Sequence, residues 1–148
     1  MTNSRPDWHQ YFMAIAHVVA LRASCPRASV GAVLVRDRAI VATGYNGAIS
    51  GASHCIDDGC IMEDGHCVAT VHAEVNALSN AARIGSATGG STMYVTCTPC
   101  WKCYQNMVNA GVVEIRYATE YRPDTKVLNG PVRCVLQPFD KDLFRRMI

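Results

Sequence analysis

The chain has 148 residues, 49% hydrophobic and 18% charged, with a net charge of +2 at neutral pH. That length suits a single domain over residues 1–148 with a core of its own. The near-balanced charge, 14 Lys+Arg against 12 Asp+Glu, gives no basis for a nucleic-acid polymer as partner.

Asp7 can cap a helix over residues 8–23, where Phe12, Ile15, Ala16 and Val19 recur at helical spacing and mark a buried face. Residues 29–35 read as a strand, Asp37-Arg38 as its turn, and residues 40–45 as its hairpin partner. Residues 46–70 follow, rich in Gly, Ser, Asp, Cys and His; so long a loop in a compact domain is functional or internally tied. A second helix is expected over residues 71–84, stopped by Gly85, and a third strand over 92–97. Thr98 as cap and Pro99 in the first turn suit a third helix that runs to about residue 110 and ends at Gly111. Residues 112–117 and 133–136 supply two more strands, and 141–147 a short last helix. Helices alternating with strands after an opening hairpin predict an α/β fold, a three-layer α/β/α sandwich on a five-stranded mixed sheet.

Eight cysteines in a chain this short would suggest disulfides in a secreted protein. Residues 1–7 are polar and carry no signal-peptide pattern, and the longest apolar stretch, residues 11–21, includes His17 and is too short for a bilayer. A cytoplasmic chain without membrane association is expected, and there cysteines at two-residue spacing read as metal ligands.

The chemistry gathers in His72-Ala73-Glu74 and Pro99-Cys100-Trp101-Lys102-Cys103. His72, Cys100 and Cys103 offer three zinc ligands and Glu74 a free carboxylate. Three ligands leave a tetrahedral zinc open for water, the catalytic arrangement; a closed structural site uses four. Cys100 and Cys103 share one face at the start of a helix, whose partial positive charge favours thiolates. In mid-helix His72 and Glu74 would point apart, so the hypothesis requires them at a helix start. Zinc lowers the pKa of bound water to about 7. Hydroxide attack at C4 of a cytosine, with Glu74 accepting the water proton and delivering it to the ring and the departing amine, would give uracil and ammonia. The rival is a closed structural zinc knuckle with Glu74 as a helix cap, which leaves the missing fourth ligand unexplained. H-x-E followed by P-C-x-x-C is a known signature of zinc-dependent base deaminases.

The match extends further. Trp8-His9-Gln10-Tyr11-Phe12-Met13-Ala14-Ile15-Ala16, Val30-Gly31-Ala32-Val33-Leu34-Val35, Thr43-Gly44-Tyr45-Asn46-Gly47, His72-Ala73-Glu74-Val75-Asn76-Ala77 and Tyr94-Val95-Thr96-Cys97-Thr98-Pro99-Cys100 resemble the deoxycytidylate (dCMP) deaminases. The resemblance implies a cytidine-deaminase-like fold and conversion of dCMP to dUMP, the precursor for thymidylate synthesis. It also implies a homohexamer, activated by dCTP and inhibited by dTTP at a separate Mg2+-dependent nucleotide site. By the same resemblance Arg27 lies near the substrate phosphate, Asn46 contacts the sugar, Tyr121 reaches the nucleotide, and Gly44, Tyr45, Asn46 and Gly47 belong to effector binding. The family usually has a proline before the glycine that follows; here the run is Ala48-Ile49-Ser50-Gly51.

Cys25, Cys55, Cys60 and Cys67 remain, with His54 and His66. Related enzymes often hold a structural zinc between the end of the first helix and this insertion, and a metal clip on a long loop contributes folding free energy. The preferred set is Cys25, Cys55 and Cys67 with either Cys60 or His66. Cys97 and Cys134 are expected in packing, and His9 and His17 in ordinary roles on the first helix. Three alternatives stand beside dCMP deamination. A polynucleotide or tRNA deaminase should show a basic, aromatic-lined track. A free-nucleoside deaminase would not need Arg27. A non-enzymatic zinc module would deaminate no cytosine compound.

Overall fold

A computed structural model of the chain describes residues 5–146. In chain order its elements are α1 (Trp8–Ala20), β1 (Gly31–Arg36), β2 (Ala39–Tyr45), β3 (Gly47–Ala48), α2 (Cys55–Asp58), β4 (Met62–Glu63), β5 (His66–Cys67), β6 (Thr70–Val71) and α3 (Ala73–Ile84). They continue with β7 (Ser91–Cys97), α4 (Trp101–Asn109), β8 (Val112–Thr119), α5 (Thr125–Leu128), β9 (Arg133–Leu136) and α6 (Asp142–Arg145). Residue 147, the expected end of the last helix, lies outside the described residues, as do residues 1–4.

Five strands form one mixed sheet in the order β2-β1-β7-β8-β9. β1 pairs antiparallel with both β2 and β7; β7–β8 and β8–β9 are parallel. β1 shows why the sheet is covered twice. Ala32 and Leu34 pack in one core with Ala73, Ala77 and Ala81 of α3 and Tyr104 and Met107 of α4. Val33 and Val35 point the other way, into a core with Phe12, Met13 and Ala16 of α1 and Tyr94 of β7. Strand periodicity of two therefore divides the apolar residues between two faces, and the expected α/β/α sandwich is the observed one.

Two glycines set how close the helices come. A Cβ at Gly31 would overlap the α1 backbone at Ala16 and Ala20, and one at Gly44 the α3 backbone at Ala73 and Ala77. Strand β1 and strand β2 thus touch helix backbones on opposite faces, with Ala32 paired to Gly44. Asn76 Nδ2 donates to Tyr45 O at 2.8 Å and Asn80 Nδ2 to Thr43 O at 2.8 Å, which pins α3 along β2.

Several boundaries differ from expectation for physical reasons. Asp7 caps α1 by accepting from the Gln10 backbone N–H at 2.8 Å, but the helix ends at Ala20 and not at residue 23. Beyond it Ser24 N donates to Asn46 O and Ile56 N donates to Ser24 O, so long-range bonds replace helical ones. The hairpin turn takes positive φ at both Asp37 (52°) and Arg38 (61°), the left-handed pair that a two-residue turn between twisted strands needs. Arg38 is held there with its guanidinium 5.2 Å from the Trp8 ring centre. The segment 46–70 is internally tied. β3 pairs with β6 at its base, and β4 pairs with β5 through a turn at Asp64 (φ 48°) and Gly65 (φ 78°). α3 starts at Ala73, because Val71 is already paired to Gly47. α5 breaks the loop expected between the last two strands.

Candidate active site

His72 is the N-cap of α3, with extended backbone (φ −65°, ψ 151°), and Glu74 lies in the first helical turn. The bend between them lets both side chains line one cavity although they are two residues apart. Cys100, not Thr98, is the N-cap of α4, and its sulfur accepts from the Cys103 backbone N–H at 3.5 Å. Thr98 is used elsewhere: its N–H donates to Thr119 O at 3.1 Å, and its Oγ1 accepts from Tyr121 N–H at 2.9 Å.

Two helix starts therefore converge. His72 Nδ1 lies 3.3 Å from Cys103 Sγ and 3.6 Å from Cys100 Sγ. Tetrahedral zinc with bonds of about 2.0 Å to nitrogen and about 2.3 Å to sulfur needs an N···S separation of about 3.5 Å. The donor set and its spacing fit zinc, and Glu74 is left out of it. The two thiols are shifted in opposite directions. Cys100 is pushed down to about 4, first by its hydrogen bond with Cys103 and then by His72. Cys103 is pushed up by that same bond and by burial. The Cys100 contact raises the His72 imidazole, and burial raises the Glu74 carboxyl, which is 3% exposed.

The cavity measures about 290 Å³, near the low end for small-molecule sites. Arg27, Asn46 and Tyr121, the three expected substrate residues, all line it. Asn46 is buried, and its amide accepts from Val30 N–H at 2.8 Å and donates to Ala28 O at 2.9 Å, so it also shapes the loop that carries Arg27. Of the expected effector stretch, Gly44, Tyr45 and Gly47 are not among the lining residues. Gly44 has a packing reason of its own, the approach of α3. Cys97, expected in core packing, is half-buried and lines the cavity; burial pushes its thiol up to about 12. His66 and Arg122 line it as well.

The four remaining cysteines also meet. The sulfurs of Cys25, Cys55, Cys60 and Cys67 lie within 4.8 Å of one another, with Cys25–Cys60 at 3.8 Å and Cys55–Cys67 at 3.5 Å. About 3.8 Å is the S···S separation of a tetrahedral zinc tetrathiolate. His54 and His66 are outside this group. His66 neighbours Cys67 on β5 and lines the cavity, outside the sulfur cluster. Burial pushes Cys67 up, but an N–H bond from Ala69 and the thiols of Cys55 and Cys60 outweigh it and bring it to about 6. Cys55 is raised by burial to about 12. His9 and His17 bond Tyr94 OH and Met13 O, and Cys134 packs at the edge of the main core.

Residues 6–119 match the family model for the cytidine and deoxycytidylate deaminase zinc-binding region. ComE operon protein 2 of Bacillus subtilis (strain 168) is 48% identical over 118 residues, 80% of this chain and 62% of that protein. The deoxycytidylate deaminase of Mycobacterium phage D29 is 41% identical over 129 residues, 79% of this chain and 98% of that protein. The dCMP deaminase of cyanophage S-TIM5, solved in complex with dCMP and dUMP, superposes with a TM-score of 0.78 at 30% identity, over 91% of this chain and all of that one.

Proposed function

The chain belongs to the cytidine and deoxycytidylate deaminase family, and from that premise we propose that it hydrolyses dCMP to dUMP and ammonia. The observation that carries this reading is one cavity lined by the buried Glu74 carboxylate, by His72 and Cys100, whose donor atoms cluster with the buried Cys103 sulfur behind them, and by the cations Arg27 and Arg122. Further support comes from the phage relative named deoxycytidylate deaminase and from the cyanophage enzyme bound to dCMP and dUMP.

His72, Cys100 and Cys103 would hold the catalytic zinc, which supplies Lewis acidity and a water that ionises near neutral pH. Glu74 would accept one proton from the attacking water and pass it to ring N3, then take the second from the new C4 hydroxyl and pass it to the departing 4-amino nitrogen. One C–O bond forms at C4 and one C–N bond breaks. The shuttle needs a group that both accepts and donates near neutral pH, and burial raises Glu74 toward that range. Thr98 secures the wall on which Cys100 and Tyr121 sit. Asn46 and Arg27 bind the sugar and phosphate on the facing loop.

The finer parts of the proposal rest on the resemblance around Gly44-Tyr45-Asn46-Gly47: activation by dCTP, inhibition by dTTP, a Mg2+ ion with the effector, and a homohexamer supplying dUMP for thymidylate synthesis. A second, structural zinc is proposed on Cys25, Cys55, Cys60 and Cys67, supported by their tetrathiolate spacing. Cytoplasmic location belongs to the same reading; among the described residues no helix is long and apolar enough to cross a membrane. The test is ammonia release from cytidine, dCMP, dCTP and a cytosine-containing oligonucleotide, with and without dCTP or dTTP. Turnover confined to dCMP supports the proposal, and equal turnover of cytidine and dCMP refutes it.

A further inference from the structure

The four cysteines outside the catalytic set meet in two couples. Cys25 Sγ lies 3.8 Å from Cys60 Sγ, and Cys55 Sγ lies 3.5 Å from Cys67 Sγ. Each couple joins a buried cysteine, Cys25 or Cys55, to a half-buried one, Cys60 or Cys67. A disulfide bond is about 2.05 Å long, so about 1 Å of movement per sulfur would close either couple.

Backbone bonds hold the partners near one another. Ile56 N–H donates to Ser24 O at 3.1 Å, which fastens the residue after Cys55 to the residue before Cys25. Val68 N–H donates to Ile61 O at 2.8 Å, which sets the residue after Cys67 beside the residue after Cys60. Neither bond involves a sulfur. A reachable thiol beside a sheltered one is the pattern of redox-sensing cysteines, in which the first is oxidised and the second resolves it.

Charge separates this cluster from the catalytic one. A bound zinc ion takes its cysteines as thiolates and its histidines neutral. Four thiolates would leave a tetrathiolate site with a net charge of −2, whereas Cys100, Cys103 and a neutral His72 only cancel the charge of the ion. The excess keeps the four sulfurs the more electron-rich, and the thiolate is the nucleophile in thiol oxidation.

On the tetrathiolate zinc reading given above, we propose that Cys25, Cys55, Cys60 and Cys67 form a redox-modification site, which hydrogen peroxide converts to the disulfides Cys25–Cys60 and Cys55–Cys67 with release of the metal. In each couple the half-buried thiolate attacks one peroxide oxygen. An S–O bond forms, the O–O bond breaks and hydroxide leaves, which makes a sulfenic acid of Cys60 or Cys67. The buried thiolate of Cys25 or Cys55 then attacks that sulfur. The S–S bond forms, the S–O bond breaks and a second hydroxide leaves. Each couple thus passes two electrons to one peroxide molecule, and its sulfurs are no longer the thiolates that zinc needs. A dithiol reductant returns the electrons by exchange.

The test treats the zinc-loaded full chain with hydrogen peroxide. A chromogenic chelator follows the freed zinc, and mass spectrometry of unreduced peptides maps the disulfides. Loss of about one of about two zinc ions per chain is expected, with both named disulfides formed and Cys100 and Cys103 still unlinked. Dimedone, a trap for sulfenic acids, should mark Cys60 and Cys67 rather than Cys25 and Cys55. Dithiothreitol with added zinc should restore the original content. Retention of both zinc ions in excess peroxide overturns the inference. So does a Cys100–Cys103 disulfide that forms first, or oxidation of the four sulfurs to sulfinic acids without a disulfide. A content of about one zinc per chain before any peroxide is added would refute the second-zinc reading instead, while the disulfide map, which needs no metal, still decides the pairing.

Discussion

Cys103 Sγ stands 3.3 Å from His72 Nδ1 across 31 residues of sequence. One atom comes from the second residue past the start of α4 and the other from the cap of α3, so the pocket inherits its precision from the packing of two helices on one sheet. Cys103 is 2% exposed, and the core around it holds Ala73, Ala77, Tyr104 and Met107.

Glu74→Gln should keep the zinc bound by His72, Cys100 and Cys103 and lower kcat by about 10³-fold, the scale of a lost acid–base group. Zinc content by elemental analysis and ammonia release together check this. Loss of the metal in that variant would make Glu74 a ligand.

Elemental analysis should find about two zinc ions per chain, one for each cluster of donors with tetrahedral spacing. Cys55→Ser should reduce this to about one and lower the melting temperature, whereas His66→Ala should keep both. Zinc lost from His66→Ala would return the histidine to the ligand set.

In the metal-free chain, iodoacetamide at pH 6 should label Cys100 before Cys97 or Cys103. Cys100 is depressed to about 4 and is a thiolate there; Cys97 is raised to about 12 and Cys103 is raised too, so both remain thiols. The larger thiolate fraction outweighs the weaker nucleophilicity of a low-pKa sulfur, leaving a rate advantage of about 100-fold. Labelling of Cys100 should fade only as the pH drops through about 4. Peptide mapping by mass spectrometry reads it, and equal rates at the three sites would refute it.

Gly44→Ala should destabilise the chain by about 3 kcal/mol, because the added methyl meets helix backbone and not a movable side chain. The shift falls on the first turn of α3, so activity should drop with stability. A variant with unchanged melting and an altered dCTP response would assign Gly44 to effector binding instead.

The convergence of His72, Glu74, Cys100 and Cys103 was legible because zinc chemistry and helix starts constrain the same few positions. His-x-Glu has to straddle a cap, and Cys-x-x-Cys has to open a helix. The fourth member of the other cluster was not legible. Cys60 and His66 are both suitable ligands, and the small hairpin that turns at Asp64-Gly65 leaves His66 outside the cluster. That turn carries the Asp-Gly pair typical of tight hairpins, but its strands are two residues each, too short to show alternation. Arg122 left no trace either, since a lone arginine in a loop has no period and its place in the cavity wall depends on the hydrogen bond from its neighbour Tyr121 to Thr98.

Cys25 and Cys67 belong both to the tetrathiolate cluster and to the wall of the catalytic cavity. With zinc there, part of the chamber is closed by coordination bonds and part by hydrogen bonds such as those of Asn46 and Thr98. Such an enzyme has two separable modes of failure. Heat would melt sheet and chamber together. A chelator strong enough to strip this cluster would slacken the wall that carries Arg27 and His66 while the five-stranded sheet still stands, so substrate affinity would decline in a protein that remains folded.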